Sequence, residues 1–575
     1  MKKKGTKVLV DVLKNWQIDH VYGIPGDSID TVVEALREEQ EAIKFIHVRH
    51  EEVAALSAAA YAKLTGKIAV ALSIAGPGAI HLLNGMYDAK MDSVPMLVLA
   101  GQVVTDKANT KFFQEVDLPT VFEDVAVYNK LIESADNIAE IVDQAIETAY
   151  QKKGVAVLTI PNDILLKKID APALQERSFN PVYPQLDEAK ISESLQLLKD
   201  AKKPVILAGI GTKQAKGALK DFIEQFKVPV ITTLPAKGIL HDSHPNLLGN
   251  IGKIGTKPAY EAMQEADLLI MLGNDYPYID YFPKKQITCI QVDIDPRKMS
   301  RRYPADIEIV GDVKEVLQEW NHAGIEIKER GFLKACQDNM KNWRTWLEED
   351  EAKDGTPIAP EAVMADIRTI AEENAIYSID VGTSTVWSTR YLQLGPQNDF
   401  LISSWLATMG CALPGAIAAK IAQPERQVLA ITGDGGFSMV MQDFVTAVHY
   451  QLPMIVIILN NQELSFIKYE QQSAGELNYG IDLPDINYAL FAEACGGKGY
   501  QATTRAELQH ALRQAKDEKV PVIIDVHVDA DAAPLPGKII WEEAKGYLTF
   551  EGKTLRKEHK LAKMPPFKTI LRRFL

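Results

Sequence analysis

The chain of 575 residues is poor in cysteine and has no long hydrophobic run. Its four cysteines stand far apart without CxxC spacing, which argues against a disulfide framework or a zinc site and favours a reducing compartment. Asp11 and Lys14 interrupt the first apolar segment, and no run of about 18 uncharged apolar residues follows. We therefore expect a cytoplasmic protein with neither a signal peptide nor a membrane-spanning helix.

Positive charge is also in short supply. Lys and Arg together number 63 against 77 Asp and Glu, which gives a formal net charge of −14. Affinity for nucleic-acid phosphates comes from clustered basic residues, so we expect no general nucleic-acid binding. A chain of this length with 46% hydrophobic residues is expected to form several globular domains.

Apolar runs of strand length alternate with segments of helical periodicity, a pattern that predicts parallel βα units. Three such series occur, and the segment between the first two is rich in Pro and Gln. We predict an α/β protein with three doubly wound parallel-sheet domains and a basic tail. The expected bounds are residues 1–178, 187–345 and 356–530 for the domains and 531–575 for the tail.

One stretch, "GDGGFSMVMQDFVTAVHYQLPMIVIILNN", has an acid between glycines at one end and two amides at the other. The strands "RQVLAIT" and "MIVIIL" would deliver Asp434 and the pair Asn460 and Asn461 to the same edge of a parallel sheet. Glycines there allow a phosphate to approach, and a divalent cation would separate the phosphate from the carboxylate. The pattern predicts a diphosphate and Mg²⁺ site. The competing interpretation is a glycine turn followed by an Asn cap.

GDG followed after about two dozen residues by NN resembles the thiamine diphosphate fingerprint. The similarity to the three-domain decarboxylase and oxidase superfamily covers nearly the whole chain. It implies thiamine diphosphate and Mg²⁺ as cofactors, with Asp434, the Asn461 side chain and the Glu463 carbonyl as metal ligands. Met409 would hold the cofactor in its bent form. Further cofactor contacts implied by the resemblance are Gly26, Ser28, Gly76, Thr408, Gly433, Gly435, Gly436 and Ile467.

The superfamily uses a carboxylate from the first domain, usually of a neighbouring subunit, to polarise the pyrimidine of the cofactor. In "HVRHEEVAALSAAAYAKL", Glu51 lies at a strand-to-helix junction with little charge beyond it. A protonated Glu51 would donate to the ring nitrogen and favour the reactive tautomer, so we expect it to be the principal catalytic residue. The alternative is an acid stabilised by the helix dipole. A shared site requires at least a dimer, and the resemblance implies a tetramer.

Two short segments resemble pyruvate oxidases. "FIKYEQQ" contains Phe466 and Glu470, and "KFFQEVD" contains Phe113 and Gln114. The resemblance implies that the aromatic rings lie beside the reacting carbons and that Gln114 and Glu470 contact the substrate. Without the family, Phe466 to Glu470 is an amphipathic helical turn and Phe113 a core aromatic.

The central domain does not match a nicotinamide fingerprint, because Gln214 occupies the third glycine position of GxGxxG. It resembles instead the FAD domain of the oxidase and acetolactate synthase families. Strand-end Gly and Asp residues are also common turn formers. The FAD contacts implied by the resemblance are Gly209, Gly211, Thr233, Leu234, Gly273, Asn274, Asp293 and Asp312.

The expected activity is oxidation of pyruvate to acetate and CO₂, with electrons passing through FAD to a quinone. Alternatives are an oxidase that uses phosphate and oxygen to form acetyl phosphate and H₂O₂, an acetolactate synthase, and a degenerate binding protein. Asp27 favours water over phosphate, because a carboxylate about 5 Å from phosphate would cost roughly 3 kcal/mol per unit charge. A role for Asp27 as a helix cap is the competing interpretation.

From Lys553 onward the chain has eight Lys or Arg against one acid. Its final apolar residues have helical spacing, as in an interfacial helix on anionic lipid. Quinone-reducing members of the family also use their carboxyl terminus at the bilayer, which implies peripheral contact with the inner face of the cell membrane. The alternative is a basic arm packed on an acidic neighbouring subunit. The apolar residues are Phe567, Ile570, Leu571, Phe574 and Leu575.

Overall fold

A computed structural model describes residues 2–324, 331–538, 541–558 and 572–573. Three parallel sheets of six strands follow one another along the chain, each enclosed by helices. Because helices cover both faces of such a sheet, its inner strands are apolar along their whole length. The predicted α/β class with three parallel-sheet domains is confirmed.

The N-terminal domain carries the first sheet. Its strands are β1 (Lys2–Lys4), β2 (His20–Gly23), β3 (Lys44–His47), β4 (Ala69–Ser73), β5 (Met96–Gln102), β6 (Ala126–Leu131), β7 (Val155–Pro161) and β8 (Lys168–Asp170). Its helices are α1 (Gly5–Asn15), α2 (Asp30–Glu38), α3 (Glu51–Thr65), α4 (Pro77–His81), α5 (Leu83–Met91), α6 (Leu118–Val121) and α7 (Ile138–Lys152). The sheet order is β3-β2-β4-β5-β7-β6, and β1 pairs with β8 in a separate antiparallel ribbon.

The central domain follows an exposed connection at residues 171–187. Its strands are β9 (Pro204–Ala208), β10 (Val230–Thr232), β11 (Leu247–Asn250), β12 (Leu268–Leu272), β13 (Thr288–Asp293) and β14 (Ile307–Val310). Its helices are α8 (Glu188–Asp200), α9 (Lys216–Phe226), α10 (Lys257–Glu265), α11 (Val313–His322) and α12 (Gly331–Glu351). The sheet order is β11-β10-β9-β12-β13-β14.

The C-terminal domain carries the third sheet, in the order β16-β15-β17-β18-β20-β19. These strands are β15 (Ile376–Ile379), β16 (Asp399–Leu401), β17 (Val428–Gly433), β18 (Ile455–Asn460), β19 (Lys498–Ala502) and β20 (Val522–His527). The helices are α13 (Pro360–Ile367), α14 (Thr383–Tyr391), α15 (Ala412–Ala422), α16 (Asp434–Val440), α17 (Phe444–His449), α18 (Ser465–Ser473), α19 (Tyr488–Ala494), α20 (Arg505–Asp517) and α21 (Trp541–Glu558). Short 3₁₀ helices lie in connections at Ile164–Leu166, Ile210–Ala215, Leu234–Ala236, Ile279–Tyr281, Pro296–Lys298 and Met441–Asp443.

Helix α3 joins the first and third domains within one chain. Its sequence is rich in alanine, and it is buried along nearly its whole length because small side chains allow α15 to pack closely against it. The Ser57 hydroxyl donates to the Pro414 carbonyl across this contact at 3.1 Å. A single apolar cluster therefore runs from the N-terminal sheet into the C-terminal sheet.

The last described residues lie against the central domain of the same chain. Arg573 donates to the Leu535 carbonyl at 2.6 Å, and its guanidinium lies 5.3 Å from the Trp343 ring centre. Arg572 pairs with Glu349 at 2.6 Å. These two basic residues thus make contacts within their own chain. The apolar tail residues of the predicted lipid contact (Phe567, Ile570, Leu571, Phe574 and Leu575) lie outside the described residues.

No helix among the described residues is both long enough and apolar enough to cross a membrane. All four cysteines are free thiols, as their spacing indicated.

Candidate active site

A cavity of about 1480 Å³ lies between the central and C-terminal domains. The carboxyl-terminal ends of β17 and β18 form one wall, and loops after β10, β11 and β12 form the other. Ligands of open parallel sheets bind at such strand ends. The residues singled out from the sequence that line it are Thr233, Leu234, Asn274, Met409, Gly433, Asp434, Gly435, Gly436, Asn461, Glu463, Phe466, Ile467 and Glu470.

Asp434 is a buried carboxylate at the end of β17. One of its oxygens accepts a hydrogen bond from the Gln462 N–H at 2.8 Å. Burial raises its pKa to about 6, with a further contribution from Asp525. A carboxylate that loses its solvent without gaining a cation is costly to ionise. A divalent ion beside this carboxylate would offset that cost.

Asn461 lies across from Asp434 at the end of β18 and also lines the cavity. Its side-chain oxygen accepts from the Glu463 N–H at 3.2 Å. The Glu463 carboxylate already pairs with Lys468 at 2.7 Å. The backbone carbonyl of Glu463 is therefore a better candidate metal ligand than its side chain. Carboxylate, amide and carbonyl oxygens form a donor set that fits Mg²⁺. Asn460 donates to Asp525 at 3.0 Å instead.

Asp380 is a buried residue at the end of β15 to which the sequence analysis assigned no function. Its oxygens accept from the Gly410 N–H at 2.8 Å and from the Thr432 hydroxyl at 2.9 Å. It thereby ties the loop carrying Met409 to the strand that carries Asp434. A Cβ on Gly436 would lie 2.9 Å from the Asp380 carboxyl carbon, so only glycine fits at that position. A lone Asp after an apolar strand was its only signal.

Helix α18 presents a mixed apolar and acidic face to the cavity. Phe466, Ile467 and Glu470 all line it, since residues three and four apart share one side of a helix. Glu470 lies 3.8 Å from the ammonium group of Lys253, which comes from the opposite, central-domain wall. This contact between domains could not be inferred from the sequence, because 217 residues separate the two positions.

The flavin residues predicted in the central domain fall into three groups. Thr233, Leu234 and Asn274 line the cavity. Gly209, Gly211 and Gly273 bring two strand ends into direct backbone contact, where a Cβ on Gly211 would lie 2.7 Å from the Gly273 Cα. Asp293 and Asp312 are not among the described lining residues.

Asp293 and Asp312 make local contacts. The Asp293 side chain accepts from the Asp295 N–H at 2.9 Å, and burial raises its pKa. Asp312 accepts from the Lys314 N–H at 2.7 Å and caps α11. The turn-forming interpretation thus accounts for the contacts of Asp312.

Glu51 begins α3 and lies in a second cluster, on the N-terminal domain. It is 8% exposed, and His81 Nδ1 lies 3.0 Å from its carboxylate. A Cβ on Gly78 would lie 2.8 Å from Glu51 Oε1, and a Cβ on Gly76, which has φ +65°, would lie 2.8 Å from the Gln114 carbonyl. Residues 76–78 therefore contact both Glu51 and the Gln114 backbone. Glu51 is not among the described residues that line the large cavity.

The loop that precedes α6 exposes two neighbouring aromatic rings. Phe113 is 75% exposed and Phe112 is 45% exposed, so Phe113 is not a core residue within one chain. Gln114 has a φ of +61°, which is uncommon for a residue with a side chain. The two rings form an exposed apolar tip on this loop.

Gly26, Ser28 and Thr408 also lie outside the described cavity lining. Ser28 is buried, and its hydroxyl accepts from the Ala75 N–H at 2.8 Å. Thr408 accepts from Asn84 at 2.9 Å, a contact between the N-terminal and C-terminal domains. Asp27 is exposed and does not cap α2, whose N-cap is Ile29 without a side-chain bond.

Three family models match this chain in order. The N-terminal thiamine pyrophosphate binding domain of thiamine pyrophosphate enzymes matches residues 3–121, their central domain residues 191–320 and their C-terminal binding domain residues 380–526. Apart from Lys538, the residues that line the cavity lie in these matched regions, as does the Glu51 cluster.

Curated relatives match over the full length. YdaP of Bacillus subtilis (strain 168), described as a thiamine pyrophosphate-containing protein, is 48% identical over 99% of both chains. Pyruvate oxidase of Lactiplantibacillus plantarum is 37% identical over 98% of this chain and 95% of that protein. An acetolactate synthase large subunit of Pyropia yezoensis is 30% identical over 92% of both. The chain therefore belongs to the thiamine diphosphate-dependent family of 2-keto acid decarboxylases and oxidases that includes pyruvate oxidase.

Proposed function

We propose that this protein oxidises pyruvate with thiamine diphosphate, Mg²⁺ and FAD as cofactors and a quinone as electron acceptor. Pyruvate and water give acetate, CO₂, two protons and two electrons, and the electrons reduce the quinone to quinol. The observation that carries the proposal is the single cavity shared by Asp434 and Asn461 on one side and Asn274 and Thr233 on the other. This shared cavity supports the proposal that the two cofactors bind next to each other.

The residues around the cavity fit these cofactors. Asp434, Asn461 and the Glu463 carbonyl would hold Mg²⁺, which neutralises the buried carboxylate. Bound thiamine diphosphate would supply the nucleophilic carbon needed to decarboxylate a 2-keto acid, and bound FAD would supply a two-electron acceptor. Phe466 and Ile467 line the cavity with apolar surface that excludes water from the reacting atoms.

Glu51 would act from a second copy of the chain. Its carboxyl group would hold a proton at the pyrimidine nitrogen of the cofactor, within hydrogen-bond reach. The exposed Phe113 and the positive-φ Gln114 lie on the loop that contacts Gly76. Together they would close the cavity of the partner, which makes the proposed enzyme a dimer at least and favours a tetramer.

Water is the proposed acceptor of the acetyl group. Asp27 is exposed on the loop next to Ser28, and no capping role occupies its carboxylate. The family resemblance implies that Asp27 lies near the acetyl group, where its negative charge would repel a phosphate ion. The acetyl-phosphate alternative is therefore electrostatically disfavoured.

The experiment is anaerobic reduction of bound flavin by pyruvate, followed by reoxidation with a quinone, with oxygen, or with oxygen and phosphate. We expect rapid bleaching of the flavin and the fastest reoxidation by quinone, with acetate as product. Phosphate-dependent oxygen consumption would instead identify an acetyl-phosphate-forming oxidase. Flavin that pyruvate does not bleach, with acetolactate formed from two pyruvates, would identify an acetolactate synthase.

A shortened protein ending at Glu558, the last residue of α21, tests the proposed membrane contact. We expect anionic vesicles to accelerate quinone reduction by the full-length protein more than by the shortened one. Equal acceleration of the two proteins would contradict a role of the tail at the bilayer.

A further inference from the structure

Residues 252–254 line the cavity but have no role in the proposed reaction as described so far. They belong to a tight turn after β11, in which the Gly255 N–H donates to the Gly252 carbonyl at 2.9 Å. Gly252 has φ +100°, and a Cβ there would clash with the Tyr276 hydroxyl. On the far side, a Cβ on Gly537 would lie 2.6 Å from the Gly255 carbonyl. The turn is thus packed between two other segments.

Arg390 holds the backbone of this turn in place through hydrogen bonds. Its buried guanidinium donates to the carbonyls of Lys253 at 2.9 Å, Ile254 at 3.0 Å and Leu535 at 2.6 Å. Burial and the nearby Arg573 lower its pKa to about 9, which leaves it charged at neutral pH. Hydrogen bonds from a charged donor are stronger than those from a neutral one. The side chain of Lys253 therefore projects from a firmly held backbone.

Lys253 directs its ammonium group toward Glu470, with 3.8 Å between Nζ and Oε1. The two side chains are 57% and 47% exposed, so their pairing adds little to folding stability. Its effect is on the local potential. Glu470 places a negative charge in a cavity that has to admit a 2-keto acid, which is itself an anion, and a neighbouring cation offsets that repulsion.

We propose that Lys253 is a positioning residue that sets the affinity for the substrate carboxylate by offsetting the charge of Glu470. The inference rests on the proposed function, because it requires an anionic substrate beside α18. Arg390 contributes by keeping the Lys253 backbone in place. An uncharged carbonyl compound gains no affinity from this cation.

The test compares the wild type, Lys253→Met and Lys253→Arg in full-length protein reconstituted with thiamine diphosphate, Mg²⁺ and FAD. Turnover is measured with ferricyanide as electron acceptor, at low and at moderate salt. Pyruvate is the anionic substrate, and acetaldehyde is its uncharged counterpart without the carboxylate. Lys220→Met is the matched control, because Lys220 is an exposed lysine of the same domain outside the described cavity lining.

We expect Lys253→Met to raise KM for pyruvate about threefold to tenfold while kcat stays within about twofold. The salt dependence of that KM should weaken, KM for acetaldehyde should not change, and Lys253→Arg should restore the wild-type values. Thermal unfolding of the variants checks that the fold is retained.

Two results would overturn this inference without affecting the proposed function. One is a KM for pyruvate that responds equally to Lys253→Met and Lys220→Met. The other is an equal rise of KM for acetaldehyde, which would mean damage to the wall and no electrostatic role. A wild-type protein that turns over no 2-keto acid would overturn the proposed function, and this inference with it.

Discussion

At the scale of single residues, the buried Asp434 carboxylate destabilises the cofactor-free protein but is the proposed ligand for Mg²⁺. Burial raises its pKa from an ordinary value of 3.8 to about 6. The folded protein therefore holds this proton more tightly than the unfolded chain does. Ionising Asp434 therefore lowers the free energy of unfolding. This loss of stability is absent below about pH 4, grows up to about pH 6 and is fully present above it, as long as no cation binds.

We predict that Asp434→Asn raises the unfolding temperature of the cofactor-free protein at pH 8, with a gain of about 1–3 kcal/mol in unfolding free energy. The same variant should lose the thermal shift produced by Mg²⁺ and thiamine diphosphate. Asp443→Asn is the matched control, because burial also raises the pKa of Asp443 to about 6 but this residue is not among the described lining residues. A retained cofactor response in Asp434→Asn would contradict the metal assignment.

A second prediction concerns Glu51. Glu51→Gln should lower kcat for pyruvate about 10²-fold to 10⁴-fold, because the amide cannot transfer the proton, while bound flavin absorbance stays unchanged. Glu140→Gln is the control for a helix-dipole role, since Glu140 is an exposed acid in the first turn of α7. Undiminished turnover in Glu51→Gln would remove Glu51 from the mechanism.

Some functional residues could be predicted from the sequence around them, and others could not. Asp434 and Asn461 follow apolar strands directly, so strand direction alone brought them to one sheet edge. Arg390, in contrast, donates hydrogen bonds to backbone carbonyls of distant segments, and Lys253 pairs with Glu470 of another domain. Such contacts depend on how two domains pack, and nothing in a single segment of sequence indicates that packing.

At the scale of secondary-structure elements, the cavity is built from strand ends and one helix face. The order of strands and helices followed from periodicity, because parallel βα units repeat an apolar strand and an amphipathic helix. The turn at residues 252–255 had no comparable pattern, although its glycines are now accounted for. Its geometry follows from the positive φ of Gly252 and from contact with Tyr276.

We predict that Gly252→Ala destabilises the protein by about 1–3 kcal/mol, because alanine is strained at φ +100° and its methyl group meets Tyr276. Flavin retention should fall in parallel, as measured by absorbance after gel filtration. Gly217→Ala is the control: Gly217 lies in α9, and a Cβ added there would have no neighbouring atom within 4 Å, so the change should be neutral or slightly stabilising. Equal unfolding temperatures for the two variants would refute the strain argument.

At the scale of the whole molecule, the large cavity and the Glu51 cluster occupy different places on one chain. Helix α3 packs against α15 of the same chain, and Glu51 at its start stays outside the described cavity lining. In the proposed enzyme, the Glu51 cluster of one chain would complete the cavity of another. Sequence alone could not locate the two halves, because the packing of α3 on α15 uses small residues without a distinctive pattern.

Co-expression of Glu51→Gln and Asp434→Asn tests the shared site. If each site combines the N-terminal domain of one chain with the C-terminal domain of another, random pairing should restore about a quarter of wild-type activity. Each variant expressed by itself serves as the control and should be inactive. A mixture as inactive as its parents would place Glu51 and Asp434 in a site within one chain.

The antiparallel ribbon formed by β1 and β8 has a consequence for biosynthesis. Residues Lys2–Lys4 are synthesised well before Lys168–Asp170, the residues with which they pair. At a synthesis rate of about 5–20 residues per second, β1 waits roughly ten to thirty seconds for β8 to be made. The ribbon then closes the first domain as a unit while the rest of the chain is still being translated.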